Sequence, residues 1–118
     1  HYLPPSRTIA LDAAGVDAVR RALLRHGLGV RECRVWTTDA LYRETAEMVT
    51  HRKEEGCTAV DMECAALAAC ARFRGALFGQ LLFTADSLAD TEVHDARGWG
   101  YSAFDRALAL AFDAAAAF

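Results

Sequence analysis

The sequence predicts an α/β domain in which helices sandwich a parallel sheet, and three observations carry that prediction. Helical and strand-like stretches alternate along the chain in the order helix, strand, helix, strand, helix, strand, loop, helix. Residues 76–84 are almost all apolar, as in a central parallel strand covered on both faces. Carboxylates gather where strands run out: Asp61 and Glu63 follow Ala59 and Val60, and Asp86 follows Leu81, Leu82 and Phe83. Strand ends of that kind are where open α/β sheets bind ligands.

After an extended Leu3, Pro4, Pro5 start, Asp12 is placed to cap a helix over 13–26. Val16, Val19, Leu23 and Leu24 recur there at helical spacing, Arg20, Arg21 and Arg25 fall on the exposed face, and Gly27 supplies the stop. Over 30–38 the period drops to two, with Cys33, Val35 and Thr37 facing one way and Arg34, Trp36 and Thr38 the other, a half-covered strand. Residues 43–55 are charged and weakly apolar. Arg43 and Glu47 stand i, i+4 and only Ala46, Met48 and Val49 offer surface to bury, so a solvated helix ended by Gly56 is expected.

A brief strand over 57–60 comes next. Met62, Ala65, Ala66, Ala69, Cys70 and Phe73 then trace a continuous stripe on a helix closed by Gly75, and the small residues on it allow close approach to a sheet. Beyond the apolar strand, residues 86–100 form the longest irregular stretch, rich in Asp, Gly and Ser. An unstructured loop of that length in a compact domain points to a functional segment. A final helix from 101 to the end is expected to bury Phe104, Leu108, Ala111 and Phe112.

A chain of 118 residues is one domain at most. Its net charge of -3 gives no electrostatic reason to expect nucleic acid or an anionic membrane as partner. No apolar run approaches the roughly 20 residues that span a bilayer, and no basic region followed by an apolar one opens the chain. Cys33, Cys57, Cys64 and Cys70 match neither a CxxC pair nor zinc-ligand spacing. They read as reduced, small, mostly buried side chains of a cytoplasmic protein, and no metal site is expected. The chain starts at His1 rather than Met, and its opening residues read as the interior of a longer protein.

The succession Trp36, Thr37, Thr38, Asp39, Ala40, Leu41, Tyr42, then Ala59 to Ala66, then Thr84, Ala85, Asp86 resembles the C-terminal half of the purine nucleoside and uridine phosphorylase superfamily. The Tyr2 to Ser6 opening and the helix after it are consistent with the same family, so the likeness covers nearly the whole chain. The Met-Glu pair opening a small-residue helix, with an Asp at the end of the next strand, is its more specific part; the Thr-Thr-Asp element alone is weak. The fold it implies is a three-layer α/β/α sandwich, with residues 1–118 as a C-terminal portion. The activity it implies is cleavage of the N-glycosidic bond of a nucleoside, by phosphate in phosphorylases and by water in nucleosidases.

Such a transition state has a ribosyl ring of oxocarbenium character, so a site must hold the sugar hydroxyls, stabilise positive charge and help the departing base. By resemblance, Glu63 accepts hydrogen bonds from the ribose hydroxyls, Met62 lies along the sugar, and Asp61 joins them as a substrate-binding residue. Asp86 is implied as the acid toward the base, and Leu41 and Tyr42 fall where the family often sets an aromatic residue against it. Elementary chemistry stands beside the analogy. A carboxylate accepting two hydroxyl bonds suits a vicinal diol, and a Glu in a helix's first turn is favoured by the dipole by about 0.3 to 1 kcal/mol. An Asp that donates a proton needs a raised pKa, which burial at the end of an apolar strand can supply.

Two departures stand out. Many family members have Ser where Ala85 stands and Glu where Asp61 stands. The family's phosphate-binding glycine-rich loop and arginines belong to its N-terminal half, and no GxGxxG or GxxxxGK[ST] pattern occurs here. Residues 1–118 alone are therefore not expected to form a competent phosphorylase.

Ordinary structural roles compete for each residue: helix-start acids for Asp61 and Glu63, a cap or loop residue for Asp86, core filling for Met62, a turn for Asp39. His51 reads as solvated, while His94 and Arg97 lie in the irregular loop without a spacing that fixes a role. The expected partners are a nucleoside and orthophosphate as co-substrate, with no organic cofactor, no nucleic acid and no membrane, in a cytoplasmic homo-oligomer. A nucleosidase is one alternative. A truncated, non-catalytic assembly or ligand-binding module is another.

Overall fold

The computed structural model describes residues 2–90, 92, 93 and 95–117. The expected element order is largely present: α1 (Ala13–Arg25), β1 (Arg34–Thr37), α2 (Ala46–Glu54), β2 (Cys57–Asp61), α3 (Cys64–Arg74) and α4 (Phe104–Ala115). β1 and β2 pair in parallel, with Thr37 opposite Asp61, so the fold is α/β as expected. Among the described residues the sheet has two strands. The chain divides into two compact units, one drawn from residues 1–17 and 31–80, the other from 18–30 and 81–118. No helix of the described residues is long and apolar enough to cross a membrane.

The first unit holds the parallel pair. Trp36 and Thr38 are buried while Val35 and Thr37 are half-buried, so the face carrying Trp36 is the covered one. Trp36 packs under Arg52, whose guanidinium carbon stands 5.6 Å from the ring centroid. α2 starts later than the expected 43–55 because Thr45 caps it, its hydroxyl accepting from the Met48 amide at 3.3 Å. Leu41–Arg43 forms a separate 3₁₀ turn, and Arg43 bonds Asp39 at 2.9 Å. Glu55, just past α2, gathers Arg7, Arg52 and His51.

The apolar stretch 76–84 is not a strand. Its backbone is engaged elsewhere: the Phe78 amide donates to the Asp12 carboxylate at 3.3 Å, and Gly79 presses on the backbone of Gly15. A ladder needs a neighbouring strand at ladder spacing, and here α1 occupies the approach to 78–79. Leu77, Leu82 and Phe83 are consequently exposed.

The helix faces also differ from expectation. α1 buries Gly15, Ala18 and Ala22 while Leu24 is exposed; α3 buries Cys64 and Ala68 while Ala65, Ala66 and Phe73 are exposed and Met62 lies before the helix. In the second unit α4 buries Leu110 and Ala114, leaving Phe104, Leu108, Ala111 and Phe112 outward. The buried line of α1 and α3 is made of small side chains, and at Gly15 in α1 the absence of a Cβ lets the backbone come against Phe78 and Gly79. The cysteines follow the same geometry. Cys64 is buried, Cys57 and Cys70 are half-buried and Cys33 is exposed, so burial is less general than composition implied; all four are free thiols.

In the second unit α1 and α4 are tied by Arg25, which donates to the Asp113 carbonyl at 3.2 Å, and by His26 against the Asp113 carboxylate. Before α4 the backbone runs through positive φ at Arg97 (43°), Gly98 (60°), Trp99 (54°) and Gly100 (70°). Gly100 is required there, since a Cβ would stand 2.8 Å from the Phe83 ring and 3.1 Å from the Ala85 Cα. His94 lies outside the described residues.

Candidate functional site

Two adjacent parallel strands end together, and the segments leaving their ends carry all the site residues singled out from the sequence except Asp86. From Thr37 the chain continues through buried Thr38 to the Leu41–Arg43 turn; from Asp61 it passes through Met62 and Glu63 into α3. The two exits are joined by the Thr38 amide, which donates to the Asp61 carbonyl at 2.8 Å. Asp61, Met62, Glu63, Leu41 and Tyr42 thus lie in one unit, on segments leaving the C-terminal edge of one strand pair. That is the edge at which parallel sheets present ligand-binding loops.

Glu63 is the residue before the first turn of α3, with φ -125° and ψ -34°. Its side chain is exposed, and one carboxylate oxygen accepts from the Met62 amide at 3.1 Å. An ionised carboxylate offers about four lone-pair sites, so capacity for two hydroxyl donors is left after that bond. Met62 is 46% exposed, Leu41 73% and Tyr42 78%, and all three present apolar surface to the outside.

Asp61 is turned inward. One carboxylate oxygen accepts from the Cys64 amide at 3.0 Å and from the Gln80 side-chain amide at 2.8 Å, capping α3 from its N-terminal side. The other oxygen, and the Gln80 carbonyl oxygen, are buried without a hydrogen-bond partner among the described residues. The Asp61 charge also acts on Cys64: burial first, then Asp61, then Cys33, push that thiol up to about 11. At neutral pH Cys64 is a protonated core thiol rather than a nucleophile.

Asp86 belongs to the other unit and is half-buried in a bend. It does not end a strand, because 76–84 forms none; instead Gly100 holds the preceding Ala85 by backbone contact, and the Ser87–Asp95 bridge follows it. Arg97 pairs with Asp95 at 3.0 Å. Among the described residues no three His, Cys, Asp or Glu side chains are grouped to hold a metal ion.

Two contributors went unrecognised in the sequence. Thr37 reaches from the end of β1 to accept from the Ala65 amide at 3.1 Å, inside the first turn of α3. Gln80 had a visible signal: it is the lone amide in an otherwise apolar run, and a polar group in such a run needs a partner.

A family model described as the phosphorylase superfamily matches residues 1–117. The chain belongs to the phosphorylase superfamily. Comparison with curated proteins and with solved structures gives no match. For a phosphorylase-superfamily chain, function is of the nucleoside phosphorylase or nucleosidase kind, the chemistry of an enzyme that cleaves a glycosyl bond.

Proposed function

We propose that residues 1–118 are the C-terminal portion of a three-layer α/β/α nucleoside phosphorylase domain, which transfers the pentosyl group of a purine or pyrimidine nucleoside to orthophosphate. The observation that carries this reading is the family match over 1–117 together with an exposed Glu63 on the C-terminal edge of a parallel strand pair. Glu63 accepts hydrogen bonds from the vicinal ribose hydroxyls. Those bonds strengthen as the sugar ring gains oxocarbenium character, which favours the transition state over the ground state.

Met62 lines the sugar with its thioether, and Leu41 and Tyr42 cover the base with apolar and aromatic surface. Asp61 serves the sugar site from behind: its carboxylate, turned inward to the Cys64 amide and Gln80, holds the turn that presents Met62 and Glu63 and does not itself touch the sugar. Asp86 donates a hydrogen bond or proton to the departing base, so that the electron pair of the broken C–N bond leaves on a neutralised ring. Phosphate attacks the anomeric carbon and the product is a pentose 1-phosphate. No resident cofactor takes part. Assembly into a homo-oligomer and a role in cytoplasmic nucleoside salvage complete the reading.

The test is release of free base from inosine and uridine by the full-length protein, with phosphate present and omitted. Release that requires phosphate and yields pentose 1-phosphate is expected. Equal release without phosphate reassigns the enzyme as a nucleosidase. No release under either condition leaves the non-catalytic assembly module as the reading.

A further inference from the structure

The Met62–Glu63 turn is anchored on both sides by one strand end. Before it, the Thr38 amide donates to the Asp61 carbonyl at 2.8 Å; after it, the Ala65 amide donates to the Thr37 hydroxyl at 3.1 Å. Thr37 also stands opposite Asp61 in the parallel register. The span from Asp61 to Ala65, with Glu63 at its centre, is therefore clamped to Thr37, the last residue of β1, and to Thr38, the residue after it. A β-branched side chain has few χ1 choices, so the Thr37 hydroxyl is a stiff anchor.

We propose that Thr37 is a positioning residue, which fixes Glu63 through the Ala65 amide and thereby sets the enzyme's preference for ribose over 2′-deoxyribose. The inference rests on the reading of Glu63 as the acceptor for the sugar hydroxyls. Its physical basis is an asymmetry between folding and function. Ala65 is exposed, so water can replace the Thr37 hydroxyl as acceptor for its amide, and loss of the hydroxyl costs the fold little. Water cannot hold the turn in one place. A carboxylate displaced by a fraction of an ångström still attracts a single hydroxyl but no longer bridges two, so the loss falls on the diol and not on the deoxy sugar.

The experiment compares kcat/KM for a ribonucleoside and its 2′-deoxy counterpart in the full-length protein and in Thr37→Val, Thr37→Ser and Glu63→Ala, with hydrogen exchange at the Ala65 amide alongside. Thr37→Val is expected to lower the ribo-to-deoxy ratio about tenfold, within the range set by misplacement of a binding group, and to speed Ala65 exchange. Thr37→Ser keeps the acceptor and is expected to restore both. Thr37→Ala, which removes the hydroxyl without adding a methyl group, carries the same expectation as Thr37→Val should that variant fail to fold. If Glu63→Ala collapses the ratio while Thr37→Val and Thr37→Ala leave it at the wild-type value, the positioning role is overturned and the Glu63 assignment stands. If Glu63→Ala itself leaves the ratio unchanged, the Glu63 reading fails and the role of Thr37 falls with it.

Discussion

Gly15 and Gly79 meet backbone to backbone: a Cβ on Gly15 would stand 2.4 Å from the Phe78 carbonyl oxygen, and one on Gly79 would stand 2.5 Å from the Gly15 carbonyl oxygen. No side chain can yield there, because the atoms in the way are main chain. The contact presses the start of α1 onto the apolar segment after α3. Gly15→Ala and Gly79→Ala are each expected to lower stability by about 1–3 kcal/mol, as overpacking does. The two share one contact, so the double variant is expected to cost less than the sum. Urea denaturation of the four proteins checks this, and full additivity would show that the contact does not exist.

Cys64 and Cys33 are expected to react very differently. The Cys64 thiol is held up at about 11 by burial and by Asp61, whereas Cys33 is exposed. Iodoacetamide at mildly alkaline pH should alkylate Cys33 in the folded protein and spare Cys64, with mass spectrometry locating the label. The same shift has a signed effect on stability. The folded thiol holds its proton above the ordinary value of 9.0, so its contribution is complete below that pH and is lost as the pH climbs through about 11. Cys64→Ala should flatten the alkaline limb of the stability profile. Rapid alkylation of Cys64 in the native state would contradict the packing.

Glu55 should govern part of the acid limb. The Arg52 side chain bonds it at 2.6 Å and lowers its pKa, with the charges of Arg7, Arg52 and His51 acting in the same direction against desolvation. A carboxylate lowered in the folded state adds stability above its ordinary value of 4.5 and loses it as the pH falls below that. The cluster is at the surface, so a small effect is expected. Thermal unfolding of Glu55→Gln should show a shallower decline below pH 4.5 than the wild type and a modestly lower Tm at neutral pH.

The order of elements was legible because periodicity alone distinguishes a helix over 13–25 from a strand over 34–37, and Gly27, Gly56 and Gly75 punctuate the chain where helices stop. Which face of each helix packs was not. Hydropathy ranks Leu24, Phe73 and Phe112 above Gly15, Ala68 and Ala114, yet the small residues are the buried ones, at Gly15 because the backbone of Phe78 and Gly79 comes too close for a Cβ. The stretch 76–84 read as a strand because apolar content tells how much a segment wants covering, not what covers it. At the site, the acids were legible as carboxylates beside strand ends. What was not legible is which of them turns inward: Asp61 does, toward Gln80 and Cys64, while Glu63 faces out. Asp and Glu two residues apart look alike until the partners from β1 and residue 80 are in place.

Glycosidic cleavage through Glu63 and Asp86 is tested most directly by kcat/KM for inosine and uridine in full-length Glu63→Ala and Asp86→Ala at saturating phosphate. Removing a general acid should cost roughly 10²- to 10⁴-fold. Removing a charged hydrogen-bond acceptor worth about 1.5–3 kcal/mol should cost at least about tenfold. Falls of that size in both variants, with both still folded, are the predicted result; turnover equal to the wild type in both would contradict the account.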